Sequence, residues 1–223
     1  MIQYKTKLFV IIALLLSIPF SCKQVINSAN QFMNGSKFET LVERFEGAER
    51  DAYQQPQKVM AYIGNVQDET IMDIGAGTGY FSFRLVNAGA QVIAADIDDR
   101  FLNFIKNKRD SLKIAPEKIE LRKVLFDSPL LEKEEVDKAI IVNTYHHLDN
   151  RVDYFTKVQE GIKNDGSLIV IDFYKKPLEH GPPMRYKVSA DEVVAELKKA
   201  GFTRFKKEME LLDMQYIVTA YKN

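Results

Sequence analysis

The sequence predicts an α/β fold: a doubly wound, mainly parallel sheet covered on both faces by helices. Three observations carry that expectation. From Phe38 onward, strand-like and helix-like stretches alternate, which implies parallel strands joined by helical crossovers. The first strand-like stretch runs directly into a glycine-rich turn, Gly75-Ala76-Gly77-Thr78-Gly79, and then into helical spacing. The composition suits one globular domain with a full-sized core, at 223 residues, 46% hydrophobic and 28% charged.

Each element has a local reason. Residues 38–45 and 57–66 place apolar side chains at helical spacing, and Pro56 is tolerated near a helix start. Residues 70–75 read as the first strand. A helix follows over 80–89, with Gly89 as its stop. The second strand covers 90–97 and its crossover helix 99–112. Strands follow at 118–125, 136–143 and 166–174, with a helix over 151–162. Ser189 caps a helix that Gly201 ends, and residues 202–212 and 214–222 close the chain as a strand pair. The ligand then belongs outside the carboxyl ends of the strands, beside the first strand.

Charge and the N-terminus set further bounds. Lys plus Arg is 31 and Asp plus Glu is 31, so no overall basic footprint points to nucleic acid. Lys5 and Lys7 precede an apolar run, Leu8 to Phe20, which ends at Ser21-Cys22. A run of about a dozen apolar residues fits a secretory signal better than a spanning helix. Cys22 is the single cysteine, so no disulfide forms within the chain. The stretch resembles a bacterial lipoprotein signal. That resemblance implies residues 1–21 as the signal, lipidation at Cys22, a polar tether over 22–37 and a domain over 38–223. The expected location is the bacterial cell envelope, membrane-anchored through the N-terminus, with the cytoplasmic face still open.

Two readings compete for the glycine turn. A dinucleotide fingerprint needs G-x-G-x-x-G with an acid about 20 residues on. Gly75 and Gly77 fit it, but the third position is Tyr80, and Gly79 comes one place early. Asp73, two residues before the first glycine, also opposes a pyrophosphate. A sulfonium cofactor with an amino-acid head and a ribose suits the same residues. Bare glycines allow close backbone approach, Asp73 balances positive charge, and Asp96 accepts from ribose hydroxyls.

Asp73-Ile74-Gly75-Ala76-Gly77-Thr78-Gly79 resembles the acidic-x-Gly-x-Gly-x-Gly motif of class I S-adenosylmethionine-dependent methyltransferases. The resemblance implies a Rossmann-like sheet of seven strands with the last antiparallel, and S-adenosyl-L-methionine as cofactor. It implies cofactor contacts at Asp73, Gly75, Ala76, Gly77 and Gly79. Asp96 with Ile97 would serve the ribose, Asp127 the adenine amino group, and Asn143 the methyl end of the fourth strand. Residues 49–56 resemble a lid segment, in which Arg50, Tyr53 and Gln54 close over the cofactor; a plain surface helix is the alternative.

Acceptor chemistry belongs to residues 143–150, after the fourth strand. His146 and His147 are the candidate general bases, because histidine titrates near neutral pH. Tyr145 is expected to stack on the acceptor or shape its site. Asp172 is read as a loop-capping carboxylate or a lone metal ligand without a supporting cluster. Lys175 and Arg185, in a Pro/Gly-rich loop, hint at an anionic substrate. The Asn/Asp-Pro-Pro-aromatic motif of DNA amino-methyltransferases is absent from "NTYH". The expected acceptor is a small or lipid-like molecule. The rival function is an exported envelope lipoprotein that binds a ligand on this scaffold without catalysis.

Overall fold

The computed structural model describes residues 35–222. The signal-like stretch, Cys22 and most of the tether lie outside the described residues. Among those described, no helix is long and apolar enough to cross a membrane.

The strands are β1 (Thr70–Ile74), β2 (Gln91–Asp96), β3 (Ile119–Lys123), β4 (Val136–Val142), β5 (Ile162–Phe173), β6 (Arg204–Glu208) and β7 (Gln215–Tyr221). They form one sheet in the order β3-β2-β1-β4-β5-β7-β6. The five strands from β3 to β5 pair parallel. β7 runs antiparallel to both β5 and β6. The expected seven-stranded sheet is therefore the one formed.

The strand alternation explains the two cores. Successive residues of a strand point to opposite faces. Ile71, Ile140, Ile169 and Ile217 pack together on one face. Their immediate neighbours Met72, Ile141, Val170 and Val218 pack together on the other. The first face is covered by α3 (Pro56–Ile63) and α4 (Ser82–Asn87), through Val59, Ile63 and Leu85. The second is covered by α6 (Arg151–Gly161) and α7 (Ala190–Lys199), through Phe155, Val158, Val193 and Leu197. Both faces are apolar at four adjacent strands, so these strands read as near-continuous hydrophobic runs.

Local signals set most boundaries. Ser189 caps α7 in a complete capping box with Glu192. Asp98 caps α5 (Asp99–Ser111) by accepting from the Arg100 amide at 2.9 Å. α3 starts at Pro56 and stops at Gly64, whose φ of 84° no helix continues, so it is shorter than its apolar spacing predicts. β5 begins at Ile162, earlier than the expected Gly166, with a register shift against β4 between Val136 and Lys138. Two further helices, α1 (Phe38–Glu46) and α2 (Ala48–Gln54), precede α3.

From β1 the order runs one way to β2 and β3, and the other way to β4 and β5. The crossovers diverge there, which opens a crevice at the carboxyl ends of β1 and β4.

Candidate active site

The glycine turn lies at that crevice. Gly75 and Ala76 donate their amides to the Ala95 carbonyl at 2.9 and 3.0 Å, which ties the turn to β2. Gly75 has φ +70°, and a Cβ there would sit 2.5 Å from Thr144 Cγ2. Only glycine meets both constraints. The Phe45 ring of α1 lies 3.5 Å from the place a Cβ on Gly77 would take.

Two buried carboxylates bracket the turn. Asp73, 3% exposed, accepts from Ser82 Oγ at 2.7 Å. Burial pushes its pKa up to about 6, against the pull of the Ser82 hydrogen bond and of nearby Arg50. Asp96, 7% exposed, accepts from the Gly77 amide through Oδ2 and from the Asp98 amide through Oδ1, each at 2.9 Å. Burial raises it to about 6 as well. Each oxygen keeps acceptor capacity for a hydroxyl. Beyond Asp96, Ile97 is exposed, as are Leu125, Phe126 and Asp127 on the loop after β3. The Asp127 carbonyl holds Lys157 Nζ at 2.7 Å. Leu125 and Phe126 beside Asp127 are exposed apolar side chains.

The N-terminal helices fold over the same end. The Tyr80 hydroxyl donates to Asp51 of α2, and Arg84 pairs with Asp51 at 3.3 Å. The guanidinium carbons of Arg50 and Arg84 lie 3.9 and 3.8 Å from the Tyr80 ring centroid. Tyr80, where a dinucleotide fingerprint wants glycine, thus anchors α2. Arg50 is 9% exposed. Its Nη1 donates to the Phe45 carbonyl at 3.0 Å, and its Nε has no hydrogen-bond partner among the described residues.

Three carboxamides close a ring across the ends of β4 and β7. Asn143 Nδ2 donates to Gln54 Oε1 at 2.9 Å, Gln54 Nε2 donates to Gln215 Oε1 at 2.8 Å, and Gln215 Nε2 donates to Asn143 Oδ1. Asn143 has a left-handed φ of 56°, a conformation asparagine tolerates better than most residues. Both ends of its side-chain amide are committed to the ring. Beside the ring, Tyr53 packs on Phe173 at 5.7 Å and stacks on His180 at 5.1 Å. Glu49 pairs with His180 at 3.7 Å. The lid-like segment therefore lies against the sheet ends and the loop after β5.

The 3-10 turn Tyr145–His147 follows β4. His146, 4% exposed, meets Asp172, 1% exposed. Nδ1 lies 3.0 and 2.9 Å from the two carboxylate oxygens. The His146 amide also donates to Asp172 Oδ2 at 3.2 Å, and the Phe173 amide to Oδ1 at 2.7 Å. With Nδ1–H donating to Asp172, Nε2 is the basic nitrogen. The His147 ring lies 4.3 Å from that of His146. Burial first, and His146 second, depress its pKa to about 4, so it is neutral at pH 7.

One expectation needs correction. Tyr145 does not reach an acceptor: it is fully buried, stacks on Phe155 at 4.9 Å and donates to Glu196 at 2.6 Å. Asp172 is the loop-capping carboxylate expected, accepting from the His146 and Phe173 amides, and it also meets His146 Nδ1. Among the described residues no group of three His, Cys, Asp or Glu is placed to hold a metal. Lys175 is paired with Glu192 at 2.8 Å, and Arg185 lies over the Tyr186 ring. The pairing leaves Lys175 little unneutralised charge for an anion.

A family model described as a methyltransferase domain matches residues 65–215, more than half of the chain. A tRNA U34 carboxymethyltransferase of Actinobacillus succinogenes is 25% identical over 118 residues, which are 51% of this chain and 35% of that enzyme. The chain thus spans about a third of that relative's length. A S-adenosylmethionine-dependent methyltransferase from Aquifex aeolicus superimposes with a TM-score of 0.76 at 22% identity, covering 84% of this chain and 100% of that one. Magnesium protoporphyrin IX methyltransferase of Synechocystis, solved with S-adenosylhomocysteine, gives 0.67 at 17% identity, over 88% and 98% of the two chains. With the glycine turn, the bracketing acids and the strand order of this sheet, the match over residues 65–215 places the chain in the methyltransferase domain family.

Proposed function

We propose that the protein transfers a methyl group from S-adenosylmethionine to a small acceptor held above the ends of β4 and β5. One observation carries this reading: the glycine turn is bracketed by two buried carboxylates, Asp73 and Asp96. A pyrophosphate set between them would meet like charge in a low-dielectric site. A cationic head with a ribose meets complementary partners. The residues fit that cofactor on the chemistry of the donor set: Asp96 keeps acceptor capacity for hydroxyls beyond the Gly77 and Asp98 amides. Two buried polar atoms, Arg50 Nε and Thr78 Oγ1, also lack hydrogen-bond partners among the described residues.

When bound, the cofactor supplies a methyl group already activated on a sulfonium. The chain's own residues position and exclude. Gly75, Ala76, Gly77 and Gly79 let the backbone approach, Asp73 balances positive charge, Asp96 takes the ribose hydroxyls, and Ile97 and Asp127 flank the adenine. Tyr53, Phe173 and His180 form an aromatic roof that keeps water out. His146 takes the acceptor's proton at Nε2, and Asp172 stabilises the resulting imidazolium. His147 is a weaker choice of base, because a pKa of about 4 leaves little affinity for a proton at pH 7. The acceptor is then a hydroxyl or amine on a small, partly apolar body, lipid-like molecules included. The balanced charge of 31 basic and 31 acidic residues offers nucleic acid no general attraction. The N-terminal sequence supports membrane tethering through a lipidated Cys22.

Calorimetry on the full chain in detergent, with S-adenosylmethionine, S-adenosylhomocysteine and NAD in parallel, tests the reading. Micromolar binding of the first two, weakened in Asp96→Ala, is expected. Failure of both to bind would remove the enzyme and favour the exported binding protein, the alternative that the signal-like N-terminus supports. Metabolic labelling with a fatty acid, lost in Cys22→Ser, tests the tether separately.

A further inference from the structure

We propose that the cavity between the loop after β5, the start of α7 and the end of β6 binds a small monocarboxylate with a ring-sized apolar body. The cavity measures about 250 Å³. A space of about 150 Å³ already admits a benzene ring, so this one has room for a ring and its carboxylate. None of its lining residues belongs to the glycine turn, the carboxamide ring or the His146–Asp172 pair. The cavity is therefore a site of its own and needs no cofactor in the crevice. Its floor is apolar for a definable reason. The Tyr174 and Tyr216 rings lie 6.1 Å apart, centre to centre. The Tyr174 hydroxyl donates to the Met209 carbonyl, and the Tyr216 hydroxyl to the Val188 carbonyl at 2.9 Å. With both protons spent, the tyrosines keep ring surface for a ligand. Tyr216 is fully buried, so half-buried Tyr174 and exposed Met209 supply most of that surface, and a thioether packs well against rings. The rim carries the charge. Lys175 pairs with Glu192 at 2.8 Å and Lys207 with Asp191 at 2.7 Å, both acids in the first turn of α7. Those charges cancel. Lys176, also on the rim, has no carboxylate partner among the described residues, and its ammonium lies 4.8 Å from the Tyr174 ring centre. One positive charge is thus left uncompensated beside an apolar floor, which suits a single negative charge on an apolar body. The backbone at Lys176 is fixed. Its amide donates to the Tyr174 carbonyl at 2.7 Å, and its carbonyl accepts from buried Lys187 Nζ at 2.8 Å. A ligand ring against Tyr174 and Met209 brings its carboxylate to Lys176.

The probe is 4-fluorobenzoate, followed by fluorine NMR line broadening on the full chain in detergent, with protein-free detergent as the blank. Wild type is expected to bind it with a dissociation constant of about 1 mM or below, as suits a ligand of this size. It should prefer the acid to uncharged 4-fluorobenzamide by about fivefold at low salt, the size of one exposed ion pair. Lys176→Gln should cut that preference below about twofold while binding the amide as wild type does. Lys176 is exposed, so this change leaves the fold intact. Wild type that binds acid and amide alike, or neither, overturns the assignment. So does an undiminished preference in Lys176→Gln. Displacement of 4-fluorobenzoate by saturating S-adenosylhomocysteine would place it in the crevice and also overturn the assignment. A chain that binds 4-fluorobenzoate through Lys176 but does not bind S-adenosylhomocysteine supports this site and sinks the cofactor reading alone.

Discussion

The proposed adenosine end of the crevice and the proposed acceptor end are built from differently distributed sequence. At the adenosine end the defining hydrogen bonds join residues 9 and 19 apart, Ser82 to Asp73 and Gly77 to Asp96. At the acceptor end they join residues 26 apart for His146 and Asp172. They reach 89 apart for Asn143 and Gln54, and 161 for Gln54 and Gln215. One continuous turn with its following strand makes the first end. Four distant segments make the second. The first end is shaped mainly by backbone, and the second relies on side chains brought together only by the finished sheet.

That contrast predicts where damage is greatest. Gly75→Ala should reduce cofactor binding by more than about 100-fold and lower the melting temperature by several degrees, because a left-handed φ and the Thr144 contact both oppose a Cβ. Calorimetry and thermal unfolding check this; normal binding would break the idea that the turn is the cradle. Asp172→Asn should slow methyl transfer about 10²- to 10³-fold while cofactor affinity stays within about threefold. Single-turnover rates set against binding constants separate those effects, and a matching loss of both would merge the two ends. A milder effect comes from pH. Asp73 and Asp96 each sit at about 6, so lowering pH from 7.5 to 5 protonates both and should weaken cofactor binding about tenfold. The empty fold responds the other way. Folded pKa values above the unfolded ones mean the native state holds protons more tightly, so these two groups add stability as pH falls through 6. Titrations at several pH values with and without cofactor would expose that crossing. The smallest effect is Gln54→Ala, which should raise the cofactor dissociation constant about three- to fivefold, mostly through faster release, as stopped-flow displacement would show.

The same contrast explains what could be read in advance. The sheet was legible because β1, β2, β4 and β5 are dense in β-branched and apolar residues and are punctuated by glycine and helix caps. The closeness of the glycine turn to Asp96 was legible because spacing along the chain sets that geometry. His146 was visible as a residue type, but its partner was not, since Asp172 becomes its neighbour only when β5 pairs with β4. Adjacent strand ends each carrying a polar residue were the available signal. Tyr145 precedes His146 directly and carries the same local cues, yet the 3-10 turn sends one ring into the core and the other to Asp172. Gln215 and Gln54 offered no signal, because isolated glutamines carry none.

The ring of amides has a mechanical meaning. The C-terminal end of α2 is fastened by neutral groups that neither titrate nor feel added salt. The earlier fastenings are ionic and partly exposed, Glu46 to Lys108 at 2.6 Å and Asp51 to Arg84 at 3.3 Å. Rising ionic strength loosens such pairs first. Just beyond the ring, Gln55 holds a left-handed φ of 47° and Pro56 stiffens the next turn. Farther from Gln54 the N-terminal helices are held both by those ion pairs and by apolar packing, buried Leu41 and the Phe38 and Phe45 rings on Phe101, so salt weakens only part of their attachment.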